Sequence, residues 1–120
     1  MNKYQSLVAW KRAHALAVTS LRITDAAYHP RARPVFEQLR RAAVSVEANI
    51  VEGYALGTRP LFFRHLRIAM GSAAEAECLI RLGAELGYLS QADVAALTAI
   101  TDECLATLRG LLRAPPPIKP

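Results

Sequence analysis

Apolar side chains recur every three or four residues along four successive stretches of this chain, and a helix gathers such positions onto one face. In the first stretch they are Leu7, Trp10, His14, Ala17, Leu21, Thr24 and Tyr28, with Ala9, Ala13, Leu16, Ser20, Ile23 and Ala27 as a second register beside them. The second stretch carries Phe36, Leu39, Ala43, Val46, Ile50 and Gly53, and the third Phe62, Leu66, Ala69, Ala73, Ala76, Ile80 and Gly83. The fourth carries Val94, Leu97, Thr101, Cys104, Leu108 and Leu111. No strand-like alternation competes with these stripes.

The punctuation agrees with the stripes. Pro30 and Pro34 bracket a break that a helix cannot cross, and Pro34 suits the first turn of the next helix, where its missing N–H costs nothing. Gly57 follows the second stripe as a left-handed stop, Pro60 opens the third helix, and Gly87 closes it. Ser90 with Asp93 three residues on resembles a capping box for the fourth. Helices of about 20–25 residues, roughly 30–37 Å long, joined by short connections, must run antiparallel. The expected fold is therefore all-α: an antiparallel up-down-up-down four-helix bundle over residues 1–114, followed by a Pro-rich mobile tail at 115–120.

Composition narrows the function classes. A chain of 120 residues, 52% of them apolar, is one domain with a real core. Cys78 and Cys104 are too few and too widely spaced for a disulfide framework or a zinc site, and read as small hydrophobes within helices. The chain moves from Met1-Asn2-Lys3-Tyr4 directly into an amphipathic pattern, without the apolar region of a signal peptide or a bilayer-spanning run. A soluble, cytoplasmic protein is the expectation. Net charge is +5, and residues 1–41 hold eight basic side chains against two acids. Such a basic third suits a polyanion or an acidic protein as partner, or it is simply a solvated surface.

Catalytic patterns are missing from the sequence. A di-iron bundle needs Glu-x-x-His on two helices, but Glu47, Glu52, Glu75 and Glu77 are followed three residues on by Ile50, Ala55, Cys78 and Ile80. Ser45 and Ser72 lack a glycine elbow and a histidine at helical spacing. His14 and His65 fall on helical stripes, where a partly buried, hydrogen-bonded histidine is the expectation. No metal, cofactor or catalytic residue is expected.

Polar residues placed beside the core are more informative. Gln38, Arg41, Ser45, Asn49 and Glu52 share one face of the second helix. In the third, Ser72 and Glu75 interrupt the otherwise largely apolar row of His65, Ile68, Leu79, Leu82 and Leu86. Interleaving with aliphatic side chains suggests burial with mutual hydrogen bonds. Gln38, Arg41, Ser45, Asn49, Glu52, Ser72 and Glu75 are thus the candidate polar network. It lies either within one subunit, fixing helix register, or at a subunit interface where Arg41 could meet a carboxylate such as Glu75.

The string Gln38-Leu-Arg-Arg-Ala-Ala-Val-Ser-Val-Glu-Ala-Asn-Ile-Val-Glu-Gly53, with Leu7-Val-Ala-Trp10, Phe62-Phe-Arg-His-Leu-Arg-Ile-Ala-Met-Gly-Ser72, Glu75 and Leu86-Gly-Tyr-Leu89, resembles the 23S rRNA intervening-sequence protein family. That family is also called simply four helix bundle protein, and one branch is the accessory variability determinant of diversity-generating retroelements. The likeness runs over about residues 4–112. Val46-Glu47 stands where the family usually has Ile-Pro or Ile-Gly, His29-Pro30 where it usually has Phe-Pro, and Arg59 replaces an arginine usually closer to Glu-Gly. The resemblance implies an up-down bundle assembling into a ring-like homopentamer. For the retroelement branch it further implies binding of RNA or DNA, and of a reverse transcriptase, through a basic surface. It implies no active site.

Together these readings point to a non-catalytic homo-oligomer with a nucleic-acid-binding or adaptor role, or else to a protein–protein scaffold. The candidate phosphate contacts are Lys11, Arg12, Arg22, Arg31, Arg33, Arg40, Arg59, Arg64 and Arg67. Arg41 is assigned to the polar network.

Overall fold

A computed structural model describes residues 4–113. Its four α-helices are α1 (Val8–Ala26), α2 (Arg33–Leu56), α3 (Arg59–Glu85) and α4 (Gln91–Arg113), with single 3-10 turns at Tyr4–Ser6 and Pro30–Ala32. The described residues contain no strand. Each helix packs on its chain neighbours, and α1 also packs on α4, so the four close an up-down-up-down bundle. The bundle measures 48 × 21 × 20 Å. The Pro-rich tail expected at 115–120 lies outside the described residues.

Local chemistry sets the helix ends. Gly57, with φ 77°, takes the left-handed conformation that ends α2. The next residue, Thr58, already caps α3 by accepting the Leu61 N–H at 3.3 Å. A connection of two residues leaves α2 and α3 no choice but to lie antiparallel, and they share the most extensive helix contact in the molecule. Gly87, with φ 74°, marks the next reversal, and Ser90 Oγ accepts the Asp93 N–H at 3.1 Å at the start of α4.

The core follows the sequence stripes in α2, α3 and α4. All seven α3 positions, Phe62 through Gly83, are buried, and Phe36, Leu39, Val46, Ile50, Leu97, Cys104 and Leu108 fill the space opposite. The first helix differs. Its buried line is Ala9, Ala13, Leu16, Ala17, Ser20 and Thr24, while Trp10 and Leu21 are half-buried and His14 is exposed. Ala9, Ala13, Leu16 and Ser20 of the second register therefore hold the centre of the contact with Ala17 and Thr24 of the first, whose Trp10, His14 and Leu21 form its flank. Three alanines there let α1 approach closely, which large side chains such as Trp10 would prevent. Tyr28 lies beyond the end of α1 and is exposed.

Candidate interaction surfaces on the bundle

The α2–α3 seam holds a hydrogen-bonded chain whose atoms can be oriented from their partners. Asn49 Nδ2 lies 2.9 Å from the Ser45 carbonyl oxygen, an acceptor only, so the amide nitrogen must face it. The same nitrogen donates to Ser45 Oγ at 3.1 Å, and Ser45 Oγ pairs with Ser72 Oγ across the seam at 2.9 Å. Asn49 Oδ1 is left to accept from His65 Nδ1 at 2.9 Å, which fixes the hydrogen on that ring nitrogen. Glu52 Oε1 stands 3.6 Å from the same nitrogen. Four half-buried residues on two helices thus satisfy one another.

The remaining expected members lie apart. Gln38, Arg41 and Glu75 are exposed, as is Glu52, and among the described residues Arg41 and Glu75 form no ion pair with each other or with anything else. Burial of the full row inside one chain, as its spacing suggested, is therefore corrected. The seam covers the row only where α2 and α3 come closest. That closeness depends on Gly53: a Cβ there would stand 2.6 Å from His65 Cβ. Away from the seam the row opens to solvent, leaving Val44 at 45%, Ile68 at 43%, Leu82 at 42% and Leu86 at 51% exposure. A hollow lined by Arg40, Arg41, Val44 and Ser45 lies beside it.

A second cluster ties α1 to α2 and was not anticipated. Glu47 Oε2 receives the Trp10 indole N–H at 2.9 Å and His14 Nδ1 at 2.8 Å. The two rings stack with centroids 4.7 Å apart and planes at 19°, and Tyr4 meets the indole edge-on at 5.4 Å. The sequence does carry Trp10 and His14 one turn apart, but nothing local announces a carboxylate arriving from α2.

The structure divides the expected phosphate contacts. Arg12 pairs with Glu103 at 3.4 Å, Arg40 with Asp25 at 3.0 Å and Arg33 with Glu37 at 3.0 Å. The hydrogen bond to Glu37, with its charge, also raises the Arg33 pKa. Arg67 lies over the Phe63 ring, 4.5 Å from its centroid. His29 caps the 3-10 turn, its Nδ1 accepting the Arg31 backbone N–H at 3.2 Å, and the Arg31 guanidinium lies 3.4 Å from Nε2 of the same ring. Lys11, Arg22, Arg59 and Arg64 are exposed and form no ion pair among the described residues. Of the expected contacts, these four are exposed cations with neither an acidic partner nor a ring contact.

The described residues hold no group of three or more His, Cys, Asp or Glu side chains placed to bind a metal ion. Cys104 is buried, and desolvation pushes its thiol up to about 11 against a smaller opposing pull from the Arg12 charge. Cys78 is exposed. No described helix is long and apolar enough to cross a membrane.

Comparison with solved structures finds the same architecture. A protein of unknown function from the S23 ribosomal protein family of Bacteroides thetaiotaomicron VPI-5482 superposes with a TM-score of 0.82 at 20% identity, over 89% of this chain and 100% of its own. At that identity the likeness speaks to the fold alone. No curated protein matches the chain. The family model described as 23S rRNA-intervening sequence protein matches residues 5–110, nearly the whole bundle. The chain belongs to the 23S rRNA-intervening sequence protein family.

Proposed function

We propose that this protein works by binding and self-assembly: a non-catalytic homo-oligomer that holds nucleic acid, acting as an adaptor. The observation that carries the reading is the presence, among the expected contacts, of exposed cations with no acidic partner, Lys11, Arg22, Arg59 and Arg64 among them, on a chain of net charge +5. Phosphates would displace counterions from such groups, giving affinity that is independent of sequence and weakened by salt. The resemblance to the retroelement branch points the same way, with RNA or DNA as ligand and a reverse transcriptase as protein partner. A titration of RNA and DNA at several salt concentrations tests it. The reading requires log K to fall linearly with log[salt], and it requires Lys11→Gln with Arg22→Gln to flatten that slope by about 0.7–0.9 per lost contact.

A second reading, a scaffold without nucleic acid, is favoured by the α2–α3 face. Val44, Ile68, Leu82 and Leu86 are exposed there, alongside Arg41 and Glu75 of opposite charge. A second copy laid on this face would cover the apolar row and could pair the two charges between subunits. Assembly through it belongs to both readings, and the family likeness suggests a ring of five. Retained assembly with no nucleic-acid binding at low salt would select the scaffold.

A further inference from the structure

Building on the nucleic-acid reading, we propose that the outer face of α1 is a track for single-stranded nucleic acid, on which Lys11 and Arg22 hold phosphates and the His14 ring stacks an unpaired base. Lys11 and Arg22 are eleven residues apart, close to three full turns, so they project from the same side of the helix about 16 Å from one another. A strand stacked at about 3.4 Å per phosphate covers that distance in about five nucleotides. His14 lies between them in sequence, one turn on from Lys11 and turned toward α2.

The histidine is built as a platform. One face of its ring lies on the Trp10 indole, and Nδ1 is committed to Glu47 Oε2. Its side chain nevertheless stays 49% exposed, and neither contact uses the second face of the ring or Nε2. Because Glu47 holds both rings through separate hydrogen bonds, the stack cannot turn without breaking one, and the ordering cost of presenting an aromatic face is met before any ligand arrives. The two acids on this flank are occupied: Asp25 is paired with Arg40, and Glu47 Oε2 takes two donors. Lys11 and Arg22 are left free to meet phosphate. Bases in a duplex have their faces covered by their neighbours, whereas an unpaired base offers one to an aromatic side chain. The track therefore discriminates by strandedness.

Fluorescence anisotropy on the full chain, with a labelled oligouridylate and a labelled RNA duplex at one low salt concentration, tests this. The parent protein should bind the oligouridylate more tightly than the duplex. His14→Ala should weaken oligouridylate binding about fivefold or more and leave duplex binding unchanged. His14→Leu, which keeps bulk on the indole but offers no aromatic face, should do the same, and His14→Phe should bind as the parent does. Lys11→Gln with Arg22→Gln should weaken both ligands. If His14→Ala and His14→Leu bind oligouridylate like the parent while the Lys11/Arg22 variant is weakened, the stacking platform is overturned and the nucleic-acid reading stands. Equal loss of both ligands in His14→Ala also overturns it, since that marks a change in the bundle. A parent that binds neither RNA removes the reading and the track together.

Discussion

Asn49 uses both ends of its amide, donating twice to Ser45 and accepting from His65. Replacing it with alanine strands a histidine N–H at a half-buried seam, which should cost about 1–2 kcal/mol in chemical denaturation. A loss of only a few tenths would show these groups to be solvated. Ser45, Asn49 and Ser72 were legible because helical spacing puts them on rows facing a neighbour. His65 shared the Ser72 row, yet its partner could not be named without the seam itself. Glu47 was not legible as a ligand of Trp10 and His14, because it lies more than thirty positions from both and meets them only through the α1–α2 packing. The two thiols give a separate test. Cys78 should react with a thiol reagent in the native protein, whereas Cys104 should react only on unfolding. Since the Cys104 thiol is raised to about 11 in the fold, the unfolded chain ionises first as pH rises. Its contribution to stability is therefore complete below the ordinary thiol range and lost as pH climbs from there toward 11. Denaturation midpoints measured at rising pH should fall more in the parent than in Cys104→Ala.

Helix boundaries were readable because proline, glycine and capping residues act locally. Pro34, Gly57, Thr58, Pro60 and Gly87 all stand where they end or begin an element. The α3 stripe was complete for a related reason: the helix is long and amphipathic, and all seven of its positions are buried, although Ile68 and Leu82 of the neighbouring row stay exposed. The first helix resisted, since two adjacent registers were both partly apolar and the choice between them rests on how closely α1 settles on its neighbours. Small residues decided it. The α2–α3 hairpin carries the sharpest test at this scale. Adding a methyl group at Gly53 forces its Cβ to within 2.6 Å of His65 Cβ, a backbone-anchored atom that cannot rotate away. Gly53→Ala should cost about 1–3 kcal/mol despite alanine's better helix propensity, read as a lower melting temperature with unchanged helix content. An unaltered or raised melting temperature would mean that the two helices are not held this closely.

For the molecule as a whole, one face of the bundle is unlike the others. The α1–α2 and α3–α4 flanks carry ion pairs such as Arg40–Asp25 and Arg81–Glu77. The α2–α3 face instead exposes four large aliphatic side chains, with Arg41 and Glu75 unpaired among the described residues. Monomers bury such rows when they can, and on this account a second copy does so. The outer surface of α1 then remains available for phosphate. Sedimentation velocity with a labelled single-stranded RNA, at low and at high salt, measures both halves of this account together. The protein should sediment as a multiple of its 13.1 kDa chain under both conditions, carrying the RNA at low salt and releasing it at high salt with the assembly intact. A 13.1 kDa monomer that leaves the RNA free at low salt would contradict it.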